Sequence, residues 1–300
     1  MTGASGFIGR HALAILSGRD YEVHAVSRGP GVADRVHWHS ADLLDPLASA
    51  ALLKTIRPTH LMHLAWYAEH GKFWTSAINR QWVTRSAELL ETFRDVGGRH
   101  VVAAGTCAEY EWRDGRCDET TTPLKPNTEY GICKNETRRH MERICRDAGI
   151  VCAWARIFHL YGPHEHPSRF VASVIRALLQ DEDALCTHGN QVRDFLHVAD
   201  AASAFAALLD REVSGSVNIG SGQPITLADI GRRIGVLIGS PGRLKLGARS
   251  PPPDDPPVLI PAVQLLSQTA RWTPRYDLDA GLRDTIGWWR KALTMRDTGS

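Results

Sequence analysis

Cysteine is scarce in this 300-residue chain, and the little there is follows no pattern. The six cysteines, at 107, 117, 133, 145, 152 and 186, contain no Cys-x-x-Cys pair and no regular spacing. That argues against a disulfide framework and a thiolate metal site, and for reduced thiols in a cytoplasmic protein. Long apolar runs are missing as well: none reaches the ~18 residues of a membrane span. No secretory leader is expected, because Arg10 and His11 interrupt the first apolar stretch. An excess of charge of one sign is also lacking. With 35 Lys and Arg against 33 Asp and Glu, the net charge is +2, too little for the basic field that a nucleic-acid partner demands. There is no internal repeat and no low-complexity tail.

What the chain has is apolar substance, 43% of its residues, enough for a large core. Short apolar runs alternate with longer amphipathic stretches through the first half. YEVHAVS (21–27), HLMHLAW (60–66), HVVAAGT (100–106) and VCAWARIFHL (151–160) read as strands, while 76–96 and 130–148 read as helices. Such alternation predicts an α/β fold, a doubly wound parallel sheet with helices on both faces. Beyond residue 160 the pattern loosens. SRFVASVIRALLQ and ADAASAFAALLD read as helices, VRDFLHV and SVNIGS as strands, and GLRDTIGWWRK as a closing helix. The proline-rich run at 251–257 is an extended connector, since proline blocks helix and central strand alike.

Three glycines, Gly3, Gly6 and Gly9, stand at every third position directly after Met1, and an amphipathic helix follows them. At a strand-to-helix turn, glycines admit a pyrophosphate to the backbone, and the helix N-terminus supplies free N–H groups. A ribose-reading residue belongs ~20 positions further on. Ser27 and Arg28 stand there, with no acid to hold the ribose hydroxyls of NAD. A hydroxyl beside a guanidinium suits a 2′-phosphate, so NADP is expected before NAD, with Arg10 adding a second charge. A solvated turn arginine is the bland alternative.

The strand HVVAAGT ends on Thr106, and Tyr130 and Lys134 follow on the next helix. Residues four apart share a helical face. An ammonium at Lys134 would lower the Tyr130 phenol from its usual ~10 and poise it for proton exchange with a hydroxyl or carbonyl, while Thr106 holds the same oxygen.

Glycine turn, strand-end Thr and Tyr-x-x-x-Lys together resemble the extended short-chain dehydrogenase/reductases, in their NAD(P)-dependent sugar-nucleotide epimerase/dehydratase branch. The resemblance covers nearly the whole chain. TGASGFIG resembles the family's cofactor loop, which brings in Gly3, Ser5, Gly6, Phe7, Ile8 and Gly9. Asp42 and Leu43 stand at its adenine contact, and Leu64 and Ala65 lie in the segment flanking the cofactor. Thr106, Tyr130 and Lys134 match the catalytic Ser/Thr, Tyr and Lys, the last two also touching cofactor. RIFHLYGP (156–163), RDFLHVAD (193–200) and NIGSG (218–222) resemble later signatures; Ile157 falls to the cofactor, and Thr106, His159, Arg193 and Asp255 to the substrate. For Arg193 the resemblance implies the substrate diphosphate, with a salt bridge to Asp194 as the alternative. Asp255 implies a nucleotide contact or a loop cap, and His159 a ligand contact or a buried, hydrogen-bonded histidine.

The resemblance further implies a Rossmann-like domain over 1–160, rejoined by 192–220, and a smaller substrate-binding lobe from 161–191 and 221–300. It also implies a homodimer built on the two long helices, with Trp82, Leu89, Leu90 and Phe93 available. Three departures matter. Relatives place an apolar strand before TG, where this chain has only Met1; a late start codon is favoured over another segment filling the gap. His159 replaces the usual Asn. Cys107 and Ala108 stand where dehydratases carry an Asp-Glu pair, and Glu109 would point to the opposite face by strand alternation. Dehydration is therefore not expected. His37 and His39, and His164 and His166, lack a third ligand, so no metal is expected. The leading expectation is NADPH-dependent reduction of a nucleotide-linked 4-keto-(deoxy)hexose. The alternative is an NAD-dependent 4-epimerase; a non-catalytic NAD(P)-sensing module fits an intact Thr, Tyr and Lys poorly.

Overall fold

The computed structural model describes residues 1–29, 31, 35–113, 115–252 and 255–297. The first elements are α1 (Phe7–Leu16), β1 (Val23–Ser27), β2 (Val36–Ser40), α2 (Pro46–Ile56) and β3 (His60–His63). Then come α3 (Ile78–Asp95), β4 (His100–Thr106), β5 (Arg116–Cys117), α4 (Glu129–Ala148), β6 (Val151–Ile157) and β7 (His159–Tyr161). The second half opens with α5 (Phe170–Leu179), β8 (Ala184–Leu185), β9 (Val192–His197), α6 (Val198–Asp210) and β10 (Gly215–Ile219). It closes with β11 (Pro224–Thr226), α7 (Leu227–Ile238), β12 (Leu244–Lys245), β13 (Val258–Pro261), α8 (Gln264–Ala270) and α9 (Leu278–Asp297).

The central strands run in the order β10-β6-β4-β3, all parallel. Every residue of β4 is buried, as a strand covered on both faces requires. On one side α1, α6 and β1 enclose Ala12, Leu13, Val102 and Phe205; on the other α2, α3 and α4 enclose Leu53, Leu89, Phe93 and Trp154. β1 and β2 form a parallel pair. Thr2 joins them to β3, bridging Val26 and His63. The Thr2 amide donates to Met62 O at 2.9 Å, and the Val26 amide to Met1 O at 2.9 Å.

A second sheet runs β11-β9-β13-β5, with β7 also paired to β9. The chain thus rejoins the central sheet through α6 and β10, from residue 198 onward, while β9 stays in the second sheet. β6 and β7, one continuous strand in the sequence reading, part at Phe158 because the chain crosses there from one sheet to the other. The described part of the proline-rich connector has no regular structure; Pro253 and Asp254 lie outside the described residues. Among the described residues no helix is long and apolar enough to cross a membrane.

Candidate active site

Thr106, Ile157 and Ile219 are register partners at the C-terminal edge of the central sheet, where open α/β sheets place their ligands. The glycine turn adjoins this edge. Gly3 has φ +67°, and a Cβ there would lie 2.8 Å from Ala65 N and 2.9 Å from the Leu64 carbonyl carbon. A Cβ on Gly9 would stand 2.0 Å from Gly3 O. Gly6 caps α1 without a side-chain hydrogen bond, and Ser5 beside it is exposed, so the first-turn amides remain free. Phe7 and Ile8 pack against the core. This cradle fits a dinucleotide pyrophosphate.

The adenosine end is less uniform. Ser27 is buried and its hydroxyl donates to Gly29 O at 2.6 Å, while Arg28 beside it is exposed. Arg10 does not join Arg28. Its guanidinium donates to Ser5 O at 2.7 Å and meets His164 Nδ1 at 2.9 Å, on the side of the loop after β7. Asp42 accepts from Leu44 N at 3.0 Å, while Leu43 is buried in the core. Leu64 and Ala65 contact Thr2 through their amides.

The reacting groups converge. Tyr130 enters at the first turn of α4, which Thr128 caps by accepting from Gly131 N at 3.1 Å. The Thr106 hydroxyl acts on its phenol, and its ring meets Phe73 and Trp74 edge-on at 4.8 and 5.7 Å. Lys134, one turn on, is buried; its Nζ donates to Ala104 O at 2.9 Å and lies 3.9 Å over the Trp66 ring.

Electrostatics correct the expected tuning. Burial depresses the Lys134 ammonium to about 7, against the opposing pull of the Glu109 carboxylate. Burial also pushes the Tyr130 phenol up, with only partial relief from Thr106. Lys134 does not pull the phenol down, because its ammonium is turned to Ala104 O and the Trp66 face, 6.0 Å from the tyrosine ring centroid. Tyr130 therefore holds its proton at neutral pH and is arranged as a donor.

Glu109 does not continue the strand. The chain turns at Thr106 into a single 3-10 turn, Cys107–Glu109, and strand alternation ceases to apply. Glu109 folds back into the interior, fully buried and paired with Arg156.

On the substrate side, Arg193 is buried on β9 and pairs with Asp255, Nη2 to Oδ1 2.5 Å, while Gln191 Nε2 donates to Asp255 Oδ2 at 3.0 Å. Asp194 is not its partner; that carboxylate accepts from Ser221 N and Gln223 N. Asp255 thus fixes Arg193 rather than capping its own loop. His159 lies against Phe195 at 5.5 Å with Nδ1 buried and unbonded. Burial and the Arg193 and Arg169 cations push it down to about 3, so it is neutral. Sequence reasoning missed Trp66, Arg156 and Arg169. Only proximity in the fold connects them to the site, although Trp66 and Arg156 lie in segments already singled out.

Leu89, Leu90 and Phe93 are buried against the central sheet and not displayed for a partner. His37 and His39 stack on or bond to His24, and among the described residues no group of His, Cys, Asp and Glu is arranged to hold a metal.

The NAD dependent epimerase/dehydratase family profile matches residues 1–220, nearly three-quarters of the chain. The chain belongs to that family. It is an NAD(P)-dependent enzyme of the extended short-chain dehydrogenase/reductase type in sugar-nucleotide chemistry. Among its relatives, UDP-glucuronic acid decarboxylase 1 of Xenopus tropicalis is 27% identical over 98% of this chain and 72% of its own length. The dTDP-4-dehydro-6-deoxy-D-allose reductase of Streptomyces bikiniensis is 25% identical over 97% of this chain and 95% of that protein. Among solved structures, MoeE5 in complex with UDP-glucuronic acid and NAD superposes with a TM-score of 0.83, at 27% identity, over 97% of this chain and 98% of the other.

Proposed function

We propose that the protein reduces the keto group of a nucleotide-linked 4-keto-(deoxy)hexose, using NADPH. The observation that carries this reading is the convergence of Tyr130, on the first turn of α4, with Thr106 at the end of β4 and with buried Lys134 one turn on. A bound NADPH supplies hydride. Tyr130 gives a proton to the oxygen that becomes a hydroxyl, Thr106 orients that oxygen, and Lys134 supplies positive charge beside the tyrosine. Arg193, paired with Asp255, which Gln191 holds in turn, would meet the substrate diphosphate, and neutral His159 would offer one N–H donor. β9 with its neighbours β7, β11 and β13 forms the substrate lobe. Burial pushes the Cys107 thiol up to about 12, Ala108 has no titratable group, and Glu109 is bound to Arg156 and Trp154, so elimination of water lacks its proton shuttles.

Purified protein tests this by the fall of NADPH absorbance at 340 nm with dTDP-4-keto-6-deoxyglucose. One NADPH consumed per sugar supports reduction. The NAD bound in MoeE5 favours a second reading, a 4-epimerase that retains NAD. That reading predicts bound NAD, no net NADPH consumption, and interconversion of UDP-hexoses. Reduction also has a pH signature: kcat falls as pH rises above about 7, where Lys134 gives up its proton.

Arg28 is proposed to select NADPH. Replacing it by Glu removes a charge-assisted contact worth about 1.5–3 kcal/mol, so KM for NADPH should rise ~10- to 100-fold while KM for NADH changes little. Equal KM shifts for both coenzymes would reject this assignment. We further propose a homodimer, whose surface is the outward face of α4. A groove of about 630 Å³ lies there between Ile132, Arg139, His140 and Arg143. Sedimentation equilibrium of the purified protein reads this directly.

A further inference from the structure

We infer that Glu109 is a positioning residue of the active centre: it fixes Thr106 in place and supplies the buried negative charge that faces Lys134. The inference rests on reading Thr106, Tyr130 and Lys134 as the reacting groups.

The geometry begins with a capping box. Glu109 Oε1 accepts from the Thr106 amide at 2.8 Å, while the Thr106 hydroxyl accepts from Ala108 N at 3.2 Å. One short turn thereby holds both the backbone and the side chain of the threonine that meets the Tyr130 phenol. The carboxylate is then clamped from the far side. Trp154 Nε1 donates to both of its oxygens at 2.9 and 3.0 Å, and Arg156 Nε donates to Oε2 at 2.9 Å. β4 leaves room for this: a Cβ on Gly105 would stand 2.3 Å from Trp154 Nε1 and 2.8 Å from Glu109 Oε1.

From Arg156 the network runs outward. Its Nη1 donates to the Tyr110 hydroxyl at 3.0 Å, Tyr110 donates to Asn218 Oδ1 at 2.8 Å, and Asn218 Nδ2 donates to Cys117 O and Ala262 O. Glu109, Arg156, Tyr110 and Asn218 are all essentially inaccessible to water. A buried ion pair often stabilises no more than apolar residues of the same volume would. Here, however, the pair is bonded to the backbone of the threonine that orients the reacting oxygen, and its carboxylate shares an indole with the lysine. Lys134 Nζ lies 5.9 Å from the Trp154 ring centre.

Among the described residues, Glu109 is the charged group that acts on Lys134. Ala104 O and the Trp66 ring hold it directly, and Tyr130 one turn away keeps its proton. His63 at the end of β3 is pushed down to about 3 by burial and is neutral. Burial drives the Lys134 proton off, and the Glu109 carboxylate retains it. Removing that charge leaves the ammonium to desolvation alone.

The test needs no substrate. Protein labelled with ¹³Cε-lysine is titrated by NMR, the Lys134 signal being identified by its loss in Lys134→Met. In Glu109→Gln the Lys134 midpoint should fall by about one pH unit, while Glu109→Asp, which keeps the charge, should stay at the wild-type midpoint. Glu109→Gln leaves Arg156 buried and unpaired, so Glu109→Gln with Arg156→Met is measured alongside; because it also removes a cation, a smaller fall is expected. An unmoved midpoint in the glutamine variants, or an equal fall in Glu109→Asp, overturns the inference. Absence of keto-sugar reduction by the unaltered protein would instead overturn the functional reading, so the two failures are distinct.

Discussion

Tyr130→Phe is expected to lower kcat for keto-sugar reduction by a factor of ~10³, within the range for removing a general acid, and to leave the fold intact. The two halves follow from different contacts. The ring is held by Phe73 and Trp74 edge-on and by its backbone amide, which donates to Trp74 O at 3.1 Å. All of that survives in phenylalanine. What is lost is the hydroxyl, on which Thr106 acts. Circular dichroism and the thermal midpoint should therefore match the unaltered protein, and the dissociation constant for NADPH should barely move. The loss should fall on kcat, because the missing interaction develops in the transition state. Thr106→Val behaves differently. It loses the same interaction but also the cap of the Cys107–Glu109 turn, so it should lower activity and stability together, the latter by about 1 kcal/mol. A Tyr130→Phe enzyme retaining a tenth or more of the original kcat would show that another group delivers the proton.

The parts of this site that sequence exposes are those with a rigid spacing. Gly3, Gly6 and Gly9 mark a turn because only glycine survives such close backbone approaches, and Tyr130 and Lys134 share a face because helices repeat. The central strands were legible because burial on both faces makes them continuously apolar. β2 was not: VHWHS is a half-exposed edge strand of polar composition. α2 carries only a weak stripe, and what fixes its start is Asp45, which accepts from Leu47 N and Ala48 N. Glu109 was misplaced for a related reason. Strand alternation reaches Glu109 only if β4 is carried three residues past Thr106, and the capping box bends the chain before that. Charge tuning was illegible altogether, since the direction of a pKa shift depends on burial and on partners from other elements. Lys134 faces Trp66 and Ala104, 68 and 30 positions away in the sequence, and the desolvation they impose outweighs what its helical neighbour could do.

Gly9→Ala should be the most damaging single methyl in the protein, and it acts on coenzyme binding and stability at once. Gly9 sits in the first turn of α1, where alanine would ordinarily be the better helix former. Its added Cβ, however, would stand 2.0 Å from Gly3 O and 2.8 Å from Ala4 O. Both obstacles are backbone, so no side chain can rotate away, and the helix must lift off the turn. That turn has little slack, because Gly3 is itself pressed against Leu64 and Ala65 at φ +67°. Overpacking of this kind costs about 3 kcal/mol, and displacement of the α1 amides from the pyrophosphate should weaken NADPH binding ~100-fold. Gly287→Ala is the matched control. It lies in α9 with nothing within 4 Å of its would-be Cβ, so the same methyl should stabilise the helix by about 0.5–1 kcal/mol. Thermal melts of the two variants should therefore move in opposite directions, and fluorescence titration with NADPH should separate them further. If Gly9→Ala bound NADPH normally, the glycine turn would not be the pyrophosphate cradle, and the coenzyme would have to lie elsewhere along the C-terminal edge of the sheet.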